Sequence, residues 1–515
     1  MVNGGNTERD RGISWAVPVL VALLVAATLA PVATALAMRS GTGPRAVVDP
    51  QLAGETGRAD VLVQALPGRL AEAQTAVTTA GGVVGRQLPI IDGFEADLPL
   101  PIPPSVTESG AIRSLSANRP IQFEEYAYEE GVTGSNFAKT SGAASAWTGG
   151  ALGEGVGVAV IDTGIADMTD LKGRVVQGPD LSGEGSTVDS YGHGTVMAGI
   201  IAGSGADSAT TGKYTGVAPK SHLVAIKAAG RNGVTDVSTM LAAMHWVAAY
   251  KDQFNIRVLN LSWGTPSTQD PAVDPLNYAV QRLWKLGIVV VVAAGNSGPN
   301  AGTIMKPGDD PMAITVGAFD DKQNTDPLDD SISSWSSRGP TASGLSKPDV
   351  VAPGRSLVAS RSFGSAVEKD NPKALVAPSY IRGSGTSQAA AVTSGLIALM
   401  LSKRPDLTPD QVKALLKGTA APLLAQPTSV QGVGRVRLDV ALNAPVPLLG
   451  TTQTSRATGL GSLEASRGGR NVQTDCGNDG TIDVIKGEID TRCEAWNGTS
   501  WTGTSWTGTS WTGTS

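Results

Sequence analysis

Short, nearly continuous apolar runs alternate with segments of helical periodicity between about residues 140 and 443. The runs are GVGVAVID, SHLVAIKA, RVLNLSW and GIVVVVAAGN. Strands that are buried on both faces, as in parallel sheets, have this composition. In the intervening segment VSTMLAAMHWVAAYKD, Met240, Met244 and Val247 recur at helical spacing. The pattern predicts an α/β fold with a doubly wound, mostly parallel sheet and helices on both faces.

Polar residues follow three of the predicted strands. Asp162 comes after GVGVAVI, Ser262 after RVLNL and Asn296 after IVVVVAAG. One such residue is commonly a turn or cap residue. Because ligands bind at the carboxyl ends of parallel strands, three at one sheet edge favour a functional site.

One of the three histidines is a candidate catalytic group. His222 lies inside an apolar run and His245 on a predicted helix, so both are expected to be structural. His193 lies between two glycines, at the start of the small-residue run GTVMAGIIAG, which is expected to form a helix. The positive end of a helix dipole disfavours an imidazolium there. An adjacent carboxylate would offset this effect and fix the ring tautomer, and Asp162 is the candidate.

The stretch RGSGTSQAAA, residues 382–391, supplies a candidate nucleophile in Ser387. A hydroxyl before a helix is usually only a cap. A serine becomes a nucleophile when a base removes its proton. Asp162, His193 and Ser387 follow one of the chain orders known for an orienting carboxylate, a base and a nucleophile. The backbone N–H of Ser387 and the amide of Asn296 would serve as oxyanion donors.

The chain resembles the subtilisin-like serine proteases, or subtilases. The resemblance rests on VAVIDTGI, YGHGTVMAGIIAG, VVAAGNSG, KPDVVAPG and SGTSQAAAVTSG, which occur in the family's order over about 240 residues. It implies a secreted serine endopeptidase that acts on protein or peptide substrates through an acyl-enzyme. The implied roles are nucleophile for Ser387, general base and acid for His193, orienting carboxylate for Asp162 and oxyanion donor for Asn296. The helix after Ser387 begins Gln388-Ala-Ala-Ala391 where the family usually has Met-Ala-Ala-Pro. None of these residues is a catalytic group.

The resemblance also implies how a substrate would bind. An extended peptide would lie as a strand between two segments, which are Gly233, Val234 and Thr235 on one side and Ser262, Trp263 and Gly264 on the other. Ala294 and Gly295 would line the pocket for the side chain before the scissile bond. Their small size predicts a pocket open to a large apolar or aromatic side chain. Trp263 is either part of a subsite or an ordinary core residue.

Residues 60–126 are expected to form a small α+β unit with the β-α-β-β-α-β order of ferredoxin-like domains. The second helix is placed in SVTESGAIRSLSAN, with a capping box at Ser105 and Glu108, and the last strand in RPIQFE. The resemblance implies that this unit is a propeptide, both folding helper and temporary inhibitor. Its last strand would leave through the active site, and the enzyme would cut itself within residues 124–138.

The ends of the chain have other compositions. An apolar run from Ile13 to Ala37 ends in Ala-Leu-Ala and predicts a signal peptide over residues 1–37, with a membrane anchor over 13–37 as the alternative. The expected divisions are a propeptide over 38–135, a catalytic domain over 136–443, a polar extension over 444–495 and a WTGTS-type repeat over 496–515. The repeat is a low-complexity end or a module that binds a cell wall or polymer.

Composition narrows the partners. The net charge is −6 and the basic residues are scattered, so no nucleic-acid surface is expected. No Cys or His cluster has metal-ligand spacing, and no cofactor is predicted. Calcium remains possible as a structural ion, although residues 203–216 carry few carboxylates and residues 475–486 match a calcium loop poorly. Cys476 and Cys493 could form a disulfide in an exported protein. The protein is expected to be a monomer.

Two other hypotheses stay open at this point. The chain could be a catalytically silent exported binding protein that works through its tryptophan repeats. It could also be a processing protease tethered to a membrane by residues 13–37.

Overall fold

A computed structural model describes residues 45–49, 52, 56–118, 120–123, 136–208, 213–448, 457–458, 473–474 and 483–484. Most of the predicted signal, cleavage, extension and repeat segments lie outside these residues, as do Cys476 and Cys493. Across the described ranges, no helix has both the length and the apolar character needed to span a membrane.

The large sheet contains eight strands of the described chain, in the order β15-β14-β13-β11-β7-β9-β8, with β16 also paired to β14. All pairs are parallel except β14–β15. The strands are β7 Gly157–Asp162, β8 Val175–Asp180, β9 His222–Lys227, β11 Ile256–Leu261, β13 Val289–Ala293, β14 Ile314–Asp320, β15 Ser331–Ile332 and β16 Val350–Pro353. The apolar runs of the sequence therefore form the centre of a mostly parallel sheet, and this prediction is confirmed.

Helices pack on this sheet. Helix α9 crosses β11, β13 and β14 and packs against α5, whereas α6 and α7 pack against each other. Aspartates cap the N-termini of α6 and α7. Asp236 accepts a hydrogen bond from the N–H of Thr239, and Asp274 accepts one from the N–H of Leu276. The helices of this part are α3 Phe137–Thr140, α4 Ala143–Thr148, α5 His193–Ala202, α6 Val237–Tyr250, α7 Pro275–Lys285, α8 Ala366–Asp370, α9 Thr386–Lys403, α10 Pro409–Thr419, α11 Thr428–Gln431 and α12 Leu438–Ala441.

Short strands lie beside the large sheet. Strand β10 (Val234–Asp236), β6 (Pro120–Phe123) and β12 (Trp263–Gly264) form one three-stranded sheet. Strands β17 (Leu357–Ser360), β19 (Tyr380–Gly383) and β18 (Leu375–Ala377) form another. Strands β20 (Gln473–Thr474) and β21 (Asp483–Val484) pair with each other.

The N-terminal unit is a sheet in the order β1-β5-β2-β4-β3 with helix α1 against it. Its four longer strands have the ferredoxin-like arrangement. The core is filled by side chains such as Val61, Val77, Phe94 and Leu115. The elements are β1 Val47–Val48, β2 Gly57–Ala65, α1 Leu70–Thr79, β3 Val83–Leu88, β4 Gly93–Leu100, α2 Pro104–Thr107 and β5 Ile112–Ala117.

Two details of this unit differ from the sequence prediction. The second helix is only the four-residue α2, which follows Pro103 and lacks a side-chain cap, so the Ser105–Glu108 capping box does not form. The segment Ile112–Ala117 is a buried strand because Ile112 and Leu115 complete the core of the unit. Strand β6 leaves this sheet and pairs with β10 and β12 instead.

Candidate active site

The first part of the candidate site is a contact between the end of β7 and the start of α5. The Nδ1 atom of His193 lies 2.8 Å from Oδ1 and 2.9 Å from Oδ2 of Asp162. Both side chains are at most 1% exposed. A carboxylate at Nδ1 holds the proton on that nitrogen, so Nε2 becomes the basic atom of the ring. Gly194 permits this close approach, since a Cβ there would overlap the carbonyl oxygen of Gly164.

A second buried carboxylate, Asp189, ties the two elements together. Its Oδ1 accepts hydrogen bonds from the hydroxyl of Thr163 (2.7 Å) and the N–H of Gly192 (2.6 Å). Its Oδ2 accepts from the N–H (2.8 Å) and the hydroxyl (2.6 Å) of Thr195. Burial raises the pKa of Asp189, and the four donated hydrogen bonds oppose that rise. Asp189 therefore fixes the residues on both sides of His193.

Ser387 lies beside the carboxyl end of β11, the strand next to β7 in the sheet. It is the second residue of α9 and is 2% exposed. Its hydroxyl donates to the carbonyl oxygen of Ser262 at 3.0 Å, and the Ser262 hydroxyl donates to the carbonyl oxygen of Ser387 at 3.1 Å. These reciprocal bonds attach the first turn of α9 to the residue that follows β11.

Asn296 follows β13 and is held by the same helix terminus. Its Oδ1 accepts from the N–H of Thr386 at 2.9 Å and from the hydroxyl of Thr386 at 3.1 Å. Because the oxygen is used in this way, the amide nitrogen faces Gly385, where a Cβ would lie 3.3 Å from Nδ2. The side-chain N–H₂ and the backbone N–H of Ser387 are thus available at one helix terminus.

The sheet order explains why these groups lie together. Strands β7, β11 and β13 are parallel neighbours, so Asp162 at the end of β7 lies at the same edge as Ser262 and Asn296, which follow β11 and β13. Helices α5 and α9, which carry His193 and Ser387, pack against each other. The structure therefore gathers the four residues that the sequence suggested as one catalytic group at one edge of the sheet.

A strand of the chain itself lies where the sequence analysis expects a substrate. Strand β6 runs antiparallel to β10, with Gln122 opposite Val234 and Ile121 opposite Thr235. On its other side it pairs with β12, where Phe123 lies opposite Trp263 and Gln122 opposite Gly264. The backbone of residues 120–123 therefore fills the groove between the two segments.

The remaining predicted binding residues border this groove. Gly233 precedes β10 at a φ of +66°, and a Cβ there would lie 2.7 Å from the ring of Tyr191. The Trp263 side chain is 1% exposed and belongs to the main core, which favours the core interpretation. Ala294 and Gly295 follow β13 directly, and Met305, which the sequence analysis missed, donates its N–H to the carbonyl oxygen of Ala294 at 3.0 Å.

The other two histidines lie apart from this group. His222 makes a 2.7 Å contact through Nε2 with the carbonyl oxygen of Phe254, and burial lowers the pKa of His245. Among the residues that the structure describes, no three His, Cys, Asp or Glu side chains are grouped as metal ligands would be.

Comparison with known proteins identifies the family. The model of the subtilase family matches residues 153–460, which is more than half of the chain. The chain belongs to the subtilase family. Both the fold and the family expected from the sequence motifs are confirmed, and the chain is related to proteins named as serine proteases and subtilisins.

Individual relatives of this subtilase are similar over the catalytic part. The serine protease AprX of Bacillus subtilis is 39% identical over 293 residues, which are 56% of this chain and 66% of AprX, just under two thirds of its length. Subtilisin Savinase of Lederbergia lenta is 36% identical over 292 residues, or 57% of this chain and 92% of Savinase. The crystal structure of fervidolysin from Fervidobacterium pennivorans superposes with a TM-score of 0.61 at 23% identity, covering 79% of this chain and 64% of fervidolysin, and supports the fold.

Proposed function

We propose that this subtilase is a secreted endopeptidase that cleaves peptide bonds with Ser387, His193 and Asp162 and is made as a self-inhibited precursor. The observation that carries the proposal is the buried Asp162–His193 contact at 2.8 Å, at the same sheet edge as Ser387 and Asn296. The Asp162 carboxylate orients the imidazole and stabilises it when it becomes an imidazolium.

The geometry supports an acyl-transfer reaction in two halves. The Ser387 hydroxyl leaves the Ser262 carbonyl oxygen, turns to Nε2 of His193 and gives up its proton as Oγ attacks the substrate carbonyl carbon. The resulting oxyanion accepts hydrogen bonds from the N–H of Ser387 and the amide of Asn296. His193 then protonates the leaving amine, and a water molecule, activated by the same nitrogen, releases the acyl group.

The precursor part of the proposal rests on how the N-terminal unit contacts the catalytic part. Strand β6 fills the peptide groove through backbone pairing, as a bound substrate strand would. Side chains of the unit, including Leu88, Ile90 and Ile91, join the core of the catalytic part. Asp92 accepts hydrogen bonds from Arg282 at 2.7 Å and from the hydroxyl of Tyr278 at 3.2 Å.

Release of β6 from the groove requires a cut in the chain after this strand. The expected cleavage segment, residues 124–138, begins directly after this strand, and residues 124–135 of it lie outside the described residues. We expect the enzyme to make this cut itself. The apolar run of residues 13–37 supports export, with membrane attachment through the same run as the alternative outcome.

Expression of the full chain beside its Ser387→Ala variant tests the proposal. The parent should hydrolyse casein and acquire a new N-terminus within residues 125–139, measured by N-terminal sequencing. The variant should keep its full precursor and show no hydrolysis. Ser402→Ala is a matched control, because Ser402 lies on the same helix and, within the described part of the chain, its hydroxyl bonds only the carbonyl oxygen of Leu399. Folded, processed parent that cleaves no protein or peptide would favour the silent binding protein instead.

A further inference from the structure

The space between the two walls of the predicted specificity pocket is crossed by one short segment. One wall is β12 with Thr265, and the other is the turn after β13 that contains Ala294. The N–H of Met305 donates to the carbonyl oxygen of Ala294 at 3.0 Å. Thr265 and Lys306 exchange two backbone hydrogen bonds of 3.0 and 2.9 Å. Residues 305–306 therefore connect both walls and form the floor between them.

The side chain of Met305 lies between the walls rather than outside them. A Cβ placed on Gly295 would lie 2.6 Å from Cγ and 2.7 Å from Sδ of Met305. A Cβ placed on Gly264, on the opposite wall, would lie 2.8 Å from Cβ and 3.6 Å from Sδ of the same methionine. Met305 is 2% exposed. One side chain thus contacts both glycine faces and occupies the slot that separates them.

The backbone under Met305 is held in place by its neighbour. Lys306 is fully buried, and its Nζ lies 2.5 Å from a carboxylate oxygen of Asp309 and 3.2 Å from the amide oxygen of Asn277. A carboxylate oxygen of Asp274 lies 4.0 Å away. Breaking a buried ion pair is costly, so a shift of residues 305–306 that would deepen the pocket is disfavoured.

We propose that Met305 restricts this enzyme to small side chains, such as those of Gly, Ala and Ser, at the substrate residue directly before the scissile bond. The inference rests on the proposed function. It replaces the open pocket expected from the small size of Ala294 and Gly295, because the space that their size leaves is taken by Met305. A phenylalanine or leucine at that substrate position would have to displace the methionine.

The expected discrimination follows from the size of the mismatch. One extra or missing methylene group in an apolar pocket changes kcat/KM by about 10–200-fold. We therefore expect a peptide with Ala before the scissile bond to be cleaved at least about 10-fold better than the same peptide with Phe. Met305→Ala should open the slot and raise kcat/KM for the Phe peptide by at least about 10-fold, with little change for the Ala peptide.

The test uses the processed enzyme and chromogenic peptides that differ only in that residue, which is Ala, Leu or Phe. Met305→Leu keeps most of the volume and should keep the preference for Ala. Met312→Ala is the matched control, since Met312 lies in the same loop and its N–H donates to Asp310 instead of to the pocket wall. If Met305→Ala fails to fold, the parent's own ranking of the three peptides still decides.

The outcomes separate the two proposals. A parent enzyme that cleaves the Phe peptide as well as or better than the Ala peptide, while Ser387→Ala is inactive, overturns the role of Met305 and leaves the proposed function intact. An unchanged Phe-to-Ala ratio in folded Met305→Ala does the same. If the parent and Ser387→Ala cleave all three peptides equally or not at all, the proposed function fails, and this inference fails with it.

Discussion

Replacing Asp189 should loosen the turn that carries His193. The loss of unfolding free energy should increase with the number of hydrogen-bond donors that are left without an acceptor. In the native chain the two carboxylate oxygens serve two backbone N–H groups, those of Gly192 and Thr195, and two threonine hydroxyls. Hydroxyl groups can turn and become acceptors, whereas backbone N–H groups cannot. The backbone donors therefore decide the cost.

The magnitude follows from that count. Asp189→Asn keeps one oxygen and presents an amide N–H₂ to one of the two backbone donors. A buried donor without an acceptor costs about 1–3 kcal/mol of unfolding free energy. Asp189→Ala removes the acceptor for both backbone donors, so we expect a loss of about 2–6 kcal/mol of unfolding free energy. The order, with alanine worse than asparagine, is the specific expectation.

Urea unfolding measures the free energies in a Ser387→Ala background, which prevents self-digestion. In the active background, kcat/KM should fall at least about 10-fold for Asp189→Asn, because small displacements of a catalytic group cost this much or more. Asp180→Asn is the control, because the Asp180 carboxylate, at the end of β8, accepts hydrogen bonds from Ser182 and from the N–H of Ser186 in the loop that follows. If both Asp189 variants unfold within about 0.5 kcal/mol of the parent, a difference typical of inconsequential surface changes, the counting of donors is wrong.

Three further predictions concern oxyanion binding, a buried charge cluster and pH. Asn296→Ala should lower kcat by about 10²–10³-fold, the size measured for such a donor in a subtilisin, with little change in KM; steady-state kinetics would contradict this if KM alone rose. Asp349→Ala should cost about 3–5 kcal/mol in urea unfolding, because it leaves Lys347, Lys413 and Lys417 without the carboxylate that lies 2.6–3.2 Å from them; an unchanged midpoint would contradict it. Burial raises the pKa of Asp330 to about 6, ahead of the opposing effect of Arg435. A folded-state pKa above the unfolded value gives stability that is present in acid and lost as pH rises through about 6. Asp330→Asn, in the Ser387→Ala background, should therefore weaken the decline in thermal stability between about pH 4 and 6.

Local pattern was enough to predict the sheet and the edge at which the site forms. The apolar runs that end at Asp162, Ser262 and Asn296 are strands β7, β11 and β13, and parallel packing brings their ends together whatever the loop lengths. His193 and Ser387 were recognisable because glycines and small residues surround them at the start of a predicted helix. Each of these signals lies within a few residues of the group it identifies.

The features that sequence reasoning missed depend on distant contacts. Residues 112–117 form a strand because the sheet of the N-terminal unit needs Ile112 and Leu115, which outweighs a helix signal at Ser105. Asp189 could have been noticed as an acidic residue just before a helix, but its bond to Thr163 depends on the fold. Met305 stands in an ordinary loop, and only the close approach of two glycines from other strands reveals where its side chain lies.

A groove filled by a strand from the same polypeptide has a kinetic consequence. In the precursor proposed above, the strand competes with substrate at an effective concentration in about the millimolar range while the tether is intact, so micromolar substrate should not displace it. Once the tether is cut, the same segment competes only at the concentration of the enzyme itself. Activity should then appear after a lag that shortens on dilution, and each freed molecule that digests a competing segment should hasten the release of the next.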